Sequence, residues 1–203
     1  PWAEDHFAER VCGVPINPGT EWANWPDGQS AAKFLNGDGQ FNHNYMERFW
    51  PKYAGLGIWA SRTPEEFVRD KNMFPEAHFG IRFEYGDLGD LVELLRGEPH
   101  TRQAYLPIFY PEDTGVGDGG RKPCTLGYQF IRRGNRLHIY YPMRSCDFYR
   151  HWGDDVYLAI RLGMWILEQL EWTDVQLGSF TMHCTSLHMF VNDYQAMRKE
   201  ALA

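Results

Sequence analysis

The sequence predicts a single α+β domain spanning residues 1–203. Two observations predict it: β-branched and aromatic runs between residues 104 and 143 with a tight turn among them, and a long apolar helical run at 155–170. One layered α+β structure accommodates both. A chain of this length buries roughly 70% of its unfolded surface and needs no staples.

The elements follow in order. Residues 1–60 carry turn signals at Asn17-Pro18-Gly19, Trp25-Pro26-Asp27-Gly28 and Asn36-Gly37-Asp38-Gly39, and read as loops between short helices. Thr63-Pro64-Glu65-Glu66 combines an N-cap, a Pro at the first helical position and a capping-box Glu, so a helix starts there. A second helix occupies 88–96, with Leu91, Leu94 and Leu95 on one face. Residues 104–110 read as a strand that Pro107 confines to an edge or a bulge. After the glycine-rich loop 115–121, strands at 125–133 and 136–143 flank Gly134-Asn135, whose leading Gly suits a type II′ hairpin. Residues 155–170 are apolar on nearly every side, which predicts a helix buried at the centre. A last strand at 179–191 and a short polar helical tail complete the order, with no internal repeat or linker.

Composition limits the function. With 27 acidic and 20 basic residues the net charge is -7, and no basic run is present to line a nucleic-acid surface. An anionic ligand must therefore be held by a few placed arginines. No apolar run approaches the ~20 residues that cross a bilayer, and residues 1–10 lack the pattern of a secretory signal. Cys12, Cys124, Cys146 and Cys184 form no C-x-x-C pair and no disulfide framework, so a reducing cytoplasm is expected. The start at Pro1 reads as processed or fragmentary.

Two stretches carry chemistry. Cys124 follows Arg121-Lys122-Pro123 and opens a strand; nearby cations favour a thiolate and hence a nucleophile. The same residue reads equally as a small buried apolar side chain. Arg144-Ser145-Cys146-Asp147 gathers a cation, a hydroxyl and a carboxylate, which suits a phosphate or a plain surface ion pair.

Pro123-Cys124, Gln129-Phe130 and Arg144-Ser145-Cys146-Asp147, in this order and with 20 residues from Cys124 to Arg144, resemble the thymidylate synthase family. Glu21-Trp22-Ala23, Tyr45, Thr101-Arg102 and the segment 187–192 extend the resemblance over most of the chain. The resemblance implies a mixed β-sheet with a buried central helix and flanking helices. It implies that Cys124 attacks carbon 6 of a pyrimidine nucleoside monophosphate, activating carbon 5 toward the one-carbon unit of 5,10-methylenetetrahydrofolate. By the same resemblance Arg144 and Ser145 hold the 5′-phosphate, and Arg102 reaches the phosphate site of a second subunit in a homodimer. Gln129 joins the nucleotide site, Asp147 bonds the folate pterin, His188 the sugar, and Tyr45 the proton and water network.

The departures are informative. Counted from Arg144, the base-reading Asn of the synthases falls on Asp155, the exchange that the deoxycytidylate hydroxymethylases of the family carry. A carboxylate accepts from the cytosine amine, and its protonated form supplies the second bond. Asp154 and Asp155 also read as helix-start acids that complement the dipole. Thr125 stands where many synthases have His, Met143 replaces a Gln, and Phe190 replaces a sugar-binding Tyr, which relaxes the choice between ribose and deoxyribose. The family's amino-terminal segment with its active-site Glu has no counterpart, leaving Glu47 as a substitute, and only 15 residues follow His188. A shortened closing tail would admit water and favour hydroxymethyl transfer over reductive methylation.

The expected activity is thus 5-hydroxymethylation of dCMP or CMP, with a thymidylate synthase or a dUMP hydroxymethylase as the alternative enzyme and a non-catalytic nucleotide-binding relative as the alternative class. Such enzymes occur in phage-infected and antibiotic-producing bacterial cells. His183, Cys184 and His188 resemble metal ligands, but strand alternation puts the first two on opposite faces, and no metal is expected. The glycine run lacks the Lys-Ser/Thr ending of a phosphate loop. Trp22, Trp25 and Trp50 serve either as stacking surfaces for folate or base or as ordinary packing.

Overall fold

The computed structural model describes residues 2–14, 16–24, 32, 33, 35, 37, 39–41, 43–53, 86–114 and 121–201. The turn at 25–28, Asn36 and Asp38, the helix start at 63–66 and loop residues 115–120 lie outside the described residues.

Among the described residues four strands form one mixed sheet, in the order 105–107, 127–133, 136–143, 176–184. β1 (Tyr105–Pro107), β2 (Gly127–Arg133) and β3 (Arg136–Met143) run antiparallel, and β5 (Gln176–Cys184) runs parallel to β3. Pro107 ends the edge strand, where its missing N–H breaks no ladder. Arg133 pairs with Arg136 across Gly134-Asn135, and Gly134 alone of the two has positive φ (57°), as the type II′ reading requires. On β3 the two-residue period turns Leu137, Ile139, Tyr141 and Met143 inward and leaves Arg136 and Tyr140 exposed.

β4 (Cys146–Asp147) and β6 (Leu187–His188) form a separate two-stranded parallel pair. The single strand expected at 179–191 is therefore corrected to two strands and a helix. Thr185 N donates to Met143 O (3.0 Å), the end of the run beside β3. Cys146 N then donates to Ser186 O (3.0 Å), carrying the chain over to β4.

Five α-helices occur among the described residues: α1 (Trp2–Val11), α2 (Tyr45–Phe49), α3 (Leu88–Gly97), α4 (Trp152–Leu170) and α5 (Val191–Glu200). Asp87 caps α3 in a capping box with Asp90, and Leu88, Leu91, Val92 and Leu95 enter the core. α4 begins three residues earlier than expected. It packs on the sheet through Leu158, Ala159, Leu162, Gly163 and Ile166, while Tyr157 and Met164 are each 41% exposed. The expectation of a helix buried all round is corrected to one buried face. Gly163 allows the close approach: a Cβ there would run into Ile139 Cδ1.

Two polar contacts fix the outer helices. Arg161 at the middle of α4 and Glu4 of α1 pair at 2.6 Å, holding α1 against α4. Arg48 of α2 makes a two-pronged bond to Asp113 (2.7 and 3.0 Å) and also donates to Ile108 O, with both side chains buried.

Candidate active site

The site is built where the strand entering β2 crosses the end of β3. Leu126 N donates to Pro142 O, Arg144 N donates to Cys124 O (both 2.9 Å), and Thr125 bridges to Met143. This ladder sets Cys124 directly beside Arg144 and Ser145. Ser145 Oγ donates to Cys124 Sγ at 3.4 Å. A cavity of about 130 Å³ is lined by Cys124, Ser145, Asp147, Tyr45 and Asp155, together with His43, His151, Arg121 and Lys122. Five of the residues singled out in the sequence therefore meet in one cleft, delivered by α2, the β2 entry, β4 and α4.

Electrostatics divides these groups. Burial pushes Asp155 up to about 7, against the opposing pull of Arg10 and of a Cys146 Sγ–H that donates to Oδ2 at 3.5 Å. Burial, followed by the Asp155 charge, also holds the Tyr45 phenol and the Cys146 thiol well above their ordinary ranges. His43 is lowered to about 4 by burial, so at neutral pH its Nδ1–H donates to Arg121 O at 3.0 Å and Nε2 is left as an acceptor. Burial lowers His151 as well.

Asp147 has a distinct arrangement. Its Oδ1 accepts from the backbone N–H groups of Tyr149 (3.0 Å) and Arg150 (3.2 Å). Oδ2 is buried without a hydrogen-bond partner among the described residues, with Arg150 Nε 4.0 Å away. An unmet buried acceptor at a cleft wall fits a ligand rich in N–H donors, as a pterin is.

A second, more apolar cavity of about 200 Å³ adjoins the first. Tyr45, His43, His151 and Asp155 line both, and Trp2, Trp22 and Phe41 give it an aromatic lining. Trp22 meets Phe41 edge-on at 5.5 Å. Trp50 instead packs against the core and donates to Arg10 O, and Trp25 lies outside the described residues.

The other expected residues lie elsewhere. The Arg144 guanidinium donates to Pro123 O (2.8 Å), Lys122 O (2.7 Å) and Ser145 Oγ (3.3 Å), clamping the segment that carries Cys124. Arg102 is exposed and does not line the cleft, and Gln129 Nε2 donates to its carbonyl at 3.1 Å. Gln129 also lies outside this cleft: on the interior strand β2, between Tyr105 of β1 and Tyr140 of β3, the strand period sets it on the opposite face from buried Tyr128 and Phe130. His188 and Phe190 pack edge-on at 5.6 Å on an exposed rim rather than in the cleft. Glu47 is buried on α2, where it accepts from Asn17 at 3.1 Å, and does not line the cleft. Among the described residues no group of His, Cys, Asp or Glu is arranged for a metal.

Sequence reasoning missed Arg10, His43, His151 and Tyr141. Two signals were present: His6 and Arg10 at i, i+4 on α1, and His151 and Asp155 at i, i+4 across the start of α4.

The fold places the chain in a class. Thermostable thymidylate synthase A from Bacillus subtilis aligns with a TM-score of 0.62, covering 98% of this chain and 60% of that one at 14% identity. The chain thus has a thymidylate synthase-like α+β fold, and no family model matches it. In sequence it is similar to the deoxyuridylate hydroxymethyltransferase of Bacillus phage SP01, 29% identical over 173 residues, which is 73% of this chain and 45% of that relative. The chain spans about half the length of this curated relative. The resemblance to the thymidylate synthase family, expected from the order of the motifs, is present in both fold and sequence.

Proposed function

We propose that the protein is a folate-dependent transferase that hydroxymethylates carbon 5 of a cytidylate, dCMP or CMP, through a Cys124 adduct. The observation that carries this reading is the shared cleft of Cys124 and Asp155, with the carboxyl raised to about 7.

Cys124 Sγ bonds to carbon 6, and the electron pair of the 5,6 double bond moves toward carbon 5 and the ring; after carbon 5 has taken the one-carbon unit and lost its proton, water supplies the hydroxyl and the thiolate leaves carbon 6, restoring the double bond. Ser145, 3.4 Å from Sγ, orients the sulfur. Protonated Asp155 carries one donor and one acceptor, matching the cytosine ring nitrogen and its exocyclic amine. Ionised, it still accepts from that amine but repels a uracil carbonyl. Asp147 Oδ2 is the acceptor for the pterin of 5,10-methylenetetrahydrofolate, which supplies the one-carbon unit when bound. Arg144, exposed and bonded to Ser145 and to the backbone that leads into Cys124, and Ser145 itself are assigned the 5′-phosphate, and His188 and Phe190 the sugar. Arg102, exposed and outside the cleft of its own chain, suits service to the phosphate of a partner in a homodimer. This reading treats residues 1–203 as a single domain working in the cytoplasm.

Uridylate hydroxymethylation is the second reading, favoured by the similarity to a deoxyuridylate hydroxymethyltransferase. Mass spectrometry of products from paired cytidylate and uridylate incubations with methylenetetrahydrofolate at pH 6 and pH 8 separates the two. We expect a hydroxymethyl gain on cytidylate, a preference that grows at the higher pH, and loss of turnover in Cys124→Ala. A product from uridylate alone would overturn the assignment of Asp155. No product from either would leave a nucleotide-binding relative.

A further inference from the structure

Beside the nucleophile three side-chain hydroxyls stand in a hydrogen-bonded file. Tyr45 Oη lies 3.0 Å from Thr125 Oγ1, which lies 2.8 Å from Tyr141 Oη. The inner two members are sealed in the core, Thr125 0% and Tyr141 1% exposed. The Tyr141 ring is fixed by a face-to-face stack on Tyr128, with centroids 4.6 Å apart and planes 6° from parallel. The outer member, Tyr45, lines the cleft of Cys124 and Asp155, and the Arg10 guanidinium lies 4.5 Å over its ring. The reaction outlined above uses neither Thr125 nor Tyr141.

We propose that Thr125 and Tyr141 are positioning residues whose hydroxyls direct the file outward, holding Tyr45 as a hydrogen-bond donor into the cleft. The chemical step this donor serves rests on the reading of the site as a pyrimidine carbon 5 transferase; the file itself does not.

Proton accounting sets the direction. Each hydroxyl brings one proton, so two bonds among three hydroxyls leave one proton over. Run outward, Tyr141 donates to Thr125, Thr125 donates to Tyr45, and the remaining proton emerges where water or substrate can accept it. Run inward, it would pass from Tyr141 to the Tyr128 phenol, which also meets Thr125, so that Thr125 would have to accept from Tyr45 and Tyr128 at once to keep every proton bonded inside the core. Run outward, each of the three hydroxyls accepts at most once within the file and no buried donor is left over, which is the less crowded arrangement. Successive bonds also polarise one another, so a Tyr45 that accepts from Thr125 donates more strongly. Its proton stays on the phenol, since burial and the Asp155 charge oppose ionisation. Tyr45 therefore stabilises negative charge that develops on the ring when Cys124 adds, without becoming a base.

Two readouts test the file. With 13Cζ-labelled tyrosine, the Tyr45 resonance should move in Tyr141→Phe, although the two phenols share no direct hydrogen bond. The shift should disappear when the same change is made in a Thr125→Val background, and Thr125→Ser should preserve the native resonance. In wild-type protein, tritium release from carbon 5 of the nucleotide reports the reaction. Thr125→Val and Tyr141→Phe should each lower its kcat about tenfold, less than the ~100-fold or more lost when a preorganised donor is deleted outright. KM should stay within about twofold, the double variant should be no worse than either single, and Thr125→Ser should retain the rate. A Tyr45 resonance indifferent to Tyr141→Phe overturns the file. Release by wild type that Thr125→Val leaves unchanged overturns its service to the reaction. Absence of release from every pyrimidine nucleotide overturns the transferase reading, while the resonance still decides the file.

Discussion

Asp155 is the residue on which most depends. Its carboxyl is raised from 3.8 to about 7, so between those pH values the folded protein holds a proton that the unfolded chain releases. Stability therefore falls as pH rises through that window and is flat above it. Asp155→Asn removes the penalty: thermal unfolding should show a higher Tm than wild type at pH 8 and no difference near pH 4. The position of this residue was legible by counting from Arg144, because both belong to one short stretch of chain. Its environment was not, since Arg10 and Tyr45, separated from it by more than 100 positions, come to it only through the packing of α1 and α2. Gln129 shows the converse. The resemblance assigns it to the nucleotide site, while the two-residue strand period sets it on the face of β2 away from Tyr128 and Phe130, outside the cleft of its own chain.

Between elements, the buried Arg48–Asp113 pair ties α2, which carries Tyr45, to the turn at Pro111–Thr114 beyond β1. Removing one partner leaves a charge uncompensated in the core, so Asp113→Ala should lower unfolding stability by about 3–5 kcal/mol in denaturant titrations. Gly163 holds α4 against β3. Gly163→Ala gains up to ~1 kcal/mol of helix propensity but meets Ile139, and overpacking of about 1–3 kcal/mol should win; a rise in the denaturation midpoint would show that α4 can shift. The hairpin, the capped α3 and the edge strand at Pro107 were legible because turn chemistry and periodicity are local. The break between β5 and β6 was not, because it depends on where β3 ends and β4 begins, some 40 residues earlier in the chain.

For the whole molecule, the class of fold was legible from strand and helix runs, and its particular form from the order of motifs around Cys124, Arg144 and Asp155. The exposed sheet surface with Tyr105 and Tyr140, near Arg102, is where assembly is expected. Sedimentation should show a dimer, and Arg102→Ala should raise KM for the nucleotide more than it lowers kcat. The parallel pairing of β3 with β5 has a further consequence, for synthesis. The β2–β3 hairpin can form as soon as residue 143 is free, yet β3 has no second neighbour until 176–184 follow. A nascent chain paused between these points would present an open strand edge with Tyr140 upon it. Ribosome-bound intermediates of this length are therefore the ones expected to engage a chaperone, and β4, which brings Asp147 to the cleft, gains its own partner strand later still, when residues 187–188 follow.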